Sequence, residues 1–173
     1  RRSHRLTQSD AVWARTLRQS RSPGFLVGRQ VMGAPNIHNR DLARIPLGYV
    51  VVEPCGTVGR VGQADLIKRN DNDTAVAYAL AAQYFGMRFV YLEAGSGANQ
   101  PVPPAMVRAV KRAIRIPLIV GGGLRTAEQA PEAIEAGADI IVTAPPAAGV
   151  TDVAQALGVY LFALLARLRR AGP

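Results

Sequence analysis

With 173 residues, 49% of them apolar and 19% charged, the chain suits one ordinary globular domain with a sizeable core. The longest apolar run near the end, Ala156 to Ala166, is too short to span a bilayer, and no basic-then-apolar leader opens the sequence, so a cytoplasmic home is expected. A lone cysteine, Cys55, excludes an internal disulfide and a cysteine-clustered zinc site, while the net charge of +9 makes anionic ligands plausible partners.

That charge is uneven. Residues 1 to 44 carry nine arginines against only Asp10 and Asp41. A basic arm on nucleic acid is one reading, but no RNA-binding aromatic signature or helix-turn-helix pattern accompanies it, and none is expected to be bound. Arg1 to Ser9 is polar without an evident element, and Asp10 to Ala14 reads as a short strand. Gly24 to Val31 is ambiguous, and the segment after it is broken by Pro35. Ile45 to Glu53 is continuously apolar and β-branched around Gly48-Tyr49-Val50-Val51-Val52, as a buried strand would be. A loop containing Gly56, Gly59 and Gly62 is expected after it.

The second half is more regular. Asp73 or Thr74 should cap a helix with Val76, Leu80 and Tyr84 at helical spacing, stopped by Gly86. Arg88 to Leu92 is the next strand; Pro103-Pro104 then opens a helix with Met106, Val107, Val110 and Ile114 on one face. Lys111, Arg112 and Arg115 fall in its last turn, where cations suit the helix dipole. Ile116 to Val120 is a strand, Thr126 with Gln129 makes a capping box, and Asp139 to Thr143 is again a strand. A last amphipathic helix carries Leu157, Leu161, Leu164 and Leu168. Alternating strands and helices at about 25 residues per unit indicate a (β/α)8 (TIM) barrel, with a doubly wound sheet as the alternative. Since a full barrel takes about 250 residues, about the last five units are expected: one partial-barrel domain over 1–173, with a poorly matched arm (1–9) and a C-terminal helix region (146–173).

Two glycine turns carry the chemistry. Tyr91-Leu92-Glu93-Ala94-Gly95-Ser96-Gly97 and Gly121-Gly122-Gly123 each end an apolar run and precede a helix. Bare backbone leaving neighbouring parallel strands offers N–H groups to a phosphate. Glu93 is superfluous to such a cradle; a carboxylate there suits removal of a proton from an alcohol. His4 and His38 are isolated.

From Asp10 to Thr143 the chain resembles the geranylgeranylglyceryl phosphate synthase family of archaeal ether-lipid prenyltransferases. The resemblance rests on Ser20 to Pro23, Ile45 to Pro54, Gly56-Thr57-Val58-Gly59, Ala75 to Tyr84, Tyr91 to Gly97, Pro101 to Pro104 and Pro117 to Thr126. It implies a TIM barrel that joins geranylgeranyl diphosphate to the C3 hydroxyl of sn-glycerol 1-phosphate with Mg2+, its product delivered to the membrane. It further implies that Tyr91 and Glu93 contact the glycerol, within a substrate-binding run Tyr91, Leu92, Glu93, Ala94, Gly95, Ser96 and Gly97. Gly122 and Gly123 complete the phosphate seat. Three departures stand out. The family's metal-binding aspartates would lie before Arg1, leaving no metal ligands in the chain. Its closing Gly-Thr or Gly-Asn pair is Ala144-Pro145, where proline has no N–H to donate. Cys55 replaces a glycine. A truncated synthase with little activity alone is therefore expected, and a homo-oligomer is left open; the competing readings are another phosphate-binding TIM-barrel enzyme and a catalytically inactive fragment that binds phosphate or nucleic acid.

Overall fold

The computed structural model describes residues 11–126 and 128–142. They form five strands: β1 (Ala11–Leu17), β2 (Ala43–Val51), β3 (Phe89–Glu93), β4 (Leu118–Gly121) and β5 (Ile140–Val142). Each pairs in parallel with the next, in the order β1-β2-β3-β4-β5. A doubly wound sheet would reverse its strand order partway along. Sequential order without reversal is the arc of a barrel wall. The final helix and the strand end at Thr143 lie outside the described residues.

Helices occupy the connections. A π-helical turn (Gly24–Gly28) runs into α1 (Arg29–Asn39), which tolerates Pro35 inside it and buries no residue. The ambiguous segment is thus helical. The expected glycine loop is also partly a helix, α2 (Gly56–Val61), where the Gly59 and Gly62 amides donate to the carbonyls of Cys55 and Val58. Val58 anchors it in the core, and that tertiary contact outweighs the poor helix propensity of glycine.

α3 (Asn72–Tyr84) corrects the reading of its apolar face. Its fully buried stripe is Ala75, Ala79 and Ala82; Val76 and Leu80 pack against the same core partly buried, whereas Tyr84 is 77% exposed. The reason lies in β2: a Cβ on Gly48 would stand 2.5 Å from the Ala82 Cβ, so helix and sheet approach too closely for larger side chains. The cap is Asp71, not Asp73 or Thr74; its carboxylate accepts from the Thr74 amide at 3.0 Å, and that bond holds its pKa below the ordinary value. α4 (Pro104–Ala113) buries Met106, Val107 and Val110 as its spacing requires, with Ile114 just beyond. Ahead of α5 (Gln129–Glu135), the Gln129 side-chain Oε1 accepts from the amides of Arg125 (2.6 Å) and Thr126 (3.1 Å), half of the expected capping box.

Strand alternation divides the interior in two. Val50, Val52, Val90, Leu92, Leu118 and Val120 face outward into the main core beneath α3, α4 and α5. Leu17, Leu47, Tyr49, Val51, Tyr91 and Ile119 face the other way, joined by Cys55 and Val58. Register sets this inner face in rows: Leu17, Tyr49, Tyr91, Ile119 and Ile140 lie side by side, and Val51, Glu93, Gly121 and Val142 form the row nearest the carboxyl ends.

Candidate active site

Glu93 is the last residue of β3 and only 5% exposed. Its Oε2 accepts from the Tyr49 hydroxyl at 3.0 Å and its Oε1 from the Gly95 amide at 2.6 Å. Burial pushes its pKa above the ordinary 4.5, while hydrogen bonds from Tyr91, Gly95 and Tyr49, and the Arg15 guanidinium, pull the other way. The carboxylate is therefore a stronger base than a solvated one, yet its charge is supported. Tyr49 and Tyr91 meet edge to face at 4.9 Å, and burial, reinforced by Glu93, raises both hydroxyls well above 10.0. Arg15, inward-facing on β1, stands 5.3 Å from the Tyr49 ring.

The two glycine turns converge beside this acid. Gly122, at φ +77°, lies where any Cβ would strike Glu93 Oε1 and the Gly95 backbone. The loop after β4 is thus pressed against the loop after β3, and only glycine permits it. The Gly95–Ala98 turn is closed by the Ala98 amide donating to the Gly95 carbonyl at 3.1 Å, with Ser96 and Gly97 exposed at its centre. Cys55 packs its backbone against Gly95, and burial pushes its thiol pKa far up.

Most of the expected site residues therefore gather at one end of β3 and β4. Tyr91 and Glu93 point to the inner face; Leu92 and Ala94 belong to the outer core, so that only their backbones reach this end. The Gly95 amide is already taken by Glu93, which leaves Ser96, Gly97, Gly122 and Gly123 as the better-placed donors. Ala144 and Pro145 lie outside the described residues. Three contributors were missed in sequence. Tyr49 sits one strand away in an apolar run, its role visible only through register; Arg15 is one arginine among nine; Arg125 follows the second glycine turn and donates to the carbonyls of Ala98 and Gly97. An open cleft of about 510 Å³ adjoins, lined by Glu53, Pro54, Leu66, Arg69, Asn99 and Gln100. Among the described residues no group of three or more His, Cys, Asp or Glu could hold a metal ion. No helix among them is long and apolar enough to cross a membrane.

The PcrB family model matches residues 4–147. Geranylgeranylglyceryl phosphate synthases from Thermococcus gammatolerans and Thermococcus kodakarensis are 55% and 56% identical over 135 residues, 78% of this chain and 54% of each relative. The chain thus spans about half the length of the relatives it matches. Among solved structures, the Thermoplasma acidophilum synthase in complex with its substrate sn-glycerol-1-phosphate superposes with a TM-score of 0.75 at 48% identity, covering 78% of this chain and 54% of that one. The Thermoplasma volcanium enzyme gives the same TM-score at 44% identity. A five-stranded arc of a TIM-type barrel, the paired glycine turns and these matches together show that the chain belongs to the PcrB family.

Proposed function

We propose that this chain carries the glycerol-phosphate half of a prenyltransferase site, which joins a geranylgeranyl group to the C3 hydroxyl of sn-glycerol 1-phosphate. The observation that carries the reading is the contact between Glu93 and the second glycine turn: a buried base stands directly beside amides suited to a phosphate. The relative solved with sn-glycerol-1-phosphate supports the choice of acceptor.

In this reading the amides of Ser96, Gly97, Gly122 and Gly123 hold the phosphate, and Tyr91 and Glu93 meet the glycerol. The reaction breaks the allylic C–O bond of the prenyl diphosphate, and pyrophosphate leaves with the bonding electrons. The glycerol C3 oxygen forms the new ether bond, and its proton passes to the Glu93 carboxylate. Tyr49, Tyr91 and the Gly95 amide hold that carboxylate in place through three hydrogen bonds, and a carboxylate's roughly four lone-pair sites leave room for the incoming hydroxyl. The low exposure of Glu93 and both tyrosines keeps water from competing as acceptor. Mg2+ and geranylgeranyl diphosphate are implied by the family resemblance.

The test is to incubate this chain, and a chimaera joining it to the preceding half of the Thermococcus kodakarensis relative, with Mg2+, geranylgeranyl diphosphate and sn-glycerol 1-phosphate. Ether product from the chimaera, abolished by Glu93→Gln, is expected. No product from either form overturns the reading.

A further inference from the structure

Two arginines grip the loop between β3 and α4 from opposite sides. Arg125, exposed in the loop after β4, donates from Nε to the Ala98 carbonyl at 2.9 Å and from Nη2 to the Gly97 carbonyl at 2.7 Å. Arg69, beyond α2, donates from Nη2 to the Pro101 carbonyl at 2.8 Å and from Nη1 to the Glu53 carbonyl at 3.2 Å. The ion pairs among the described residues are Arg21 with Asp65 and Lys111 with Asp139, so neither guanidinium is neutralised there.

A peptide N–H points opposite its own carbonyl. Fixing the Gly97 carbonyl therefore fixes the Ala98 amide, which is the group that closes the Gly95–Ala98 turn. Ser96 and Gly97 are the two central residues of that turn. Their amides do not take part in closing it, and their direction follows from its shape. A planar guanidinium engaging two successive carbonyls with one edge is rigid where a lysine ammonium is not.

We propose that Arg125 is a positioning residue of the anion seat, its fork on the Gly97 and Ala98 carbonyls holding the Ser96 and Gly97 amides toward a bound phosphate, with Arg69 steadying the far end of the same loop. The proposal rests on the phosphate reading above and deepens it. It also places a positive charge behind the loop, which strengthens anion binding without touching the anion.

The experiment uses this chain with two readouts: hydrogen exchange at the Ala98 amide without ligand, and the Kd for inorganic phosphate and for sn-glycerol 1-phosphate. Arg125→Gln should speed Ala98 exchange about tenfold or more relative to the Val110 amide of α4, as loss of charge-assisted hydrogen bonds implies. It should weaken both ligands by the same factor, about tenfold, because the common phosphate is what the loop holds. Arg125→Lys should recover little of either, since it keeps the charge and loses the fork. Unchanged Ala98 exchange in Arg125→Gln, or wild-type affinity in Arg125→Lys, overturns the proposal. Should the unsubstituted chain bind neither ligand, the phosphate reading falls, while Ala98 exchange in Arg125→Gln still decides whether the clamp exists.

Discussion

The two faces of β3 make opposite use of the same five residues. Val90 and Leu92 point outward into an apolar core closed by α3 and α4, built mainly of alanine and branched aliphatic side chains with Met106. Tyr91 and Glu93 point inward, where a carboxylate, two phenols, a thiol and the Arg15 guanidinium interact at close range. One face supplies stability, and the other holds the groups assigned to the proposed chemistry. Their separation by a single residue step lets a fold of this kind alter its site without disturbing its core.

Substitutions on the two faces should therefore come apart. The largest effect belongs to Glu93→Gln, which keeps the shape and removes the base: the turnover of the chimaera should fall by about 10² to 10⁴, with the urea midpoint not lowered. Leu92→Ala, its neighbour on the other face, should cost about 2–5 kcal/mol of stability, read by urea unfolding, and leave phosphate affinity unchanged in the folded protein. A Leu92→Ala chain of normal stability would show that the faces are not divided as described.

Tyr49→Phe sharpens the comparison within the inner face. It deletes one donor to a buried carboxylate, an interaction worth about 1.5–3 kcal/mol. The Glu93 pKa should rise further, and the pH at which product formation reaches half its maximum should move up by about one unit or more. An unmoved profile would place the rate-setting ionisation elsewhere.

Stability should carry the same signature. Because the folded Glu93 pKa lies above its ordinary 4.5, the unfolded chain loses this proton first as pH rises. The carboxyl thus costs nothing below that ordinary value. Its cost grows through the window up to the folded pKa and is complete above it. Urea midpoints of Glu93→Gln should match the parent in acid and exceed it at neutral pH; a constant difference across the range would contradict the buried ionisation. Smallest of all should be Lys111→Met. It breaks the pair with Asp139, whose side chains are 32% and 40% exposed, and should change stability by no more than about 1 kcal/mol without altering ligand affinity.

The sequence exposed some of this organisation and concealed the rest for identifiable reasons. β2, β3 and β4 were legible because they are largely buried on both faces, and α4 because it packs a regular stripe of Met106, Val107 and Val110. The packing face of α3 was not, because the contact at Gly48 selects alanines, which carry little hydrophobic signal beside Val76, Leu80 and Tyr84. Glu93 and the glycine turns stood out as a departure from a simple phosphate loop. Tyr49 and Arg15 did not, since strand register brings them to Glu93 and register is invisible in a linear string. Commitment of the Gly95 amide to Glu93 was equally hidden, because it depends on the rotamer of a single side chain.

The most direct test of the account is an amide-resolved NMR titration of this chain with sn-glycerol 1-phosphate. The Ser96, Gly97, Gly122 and Gly123 amides should shift together along one saturating curve, with Gly95 following only through its bond to Glu93, and inorganic phosphate should reproduce the pattern more weakly. Shifts confined to arginine-rich surface segments such as Arg40 to Arg44, with the glycine amides unmoved, would contradict it.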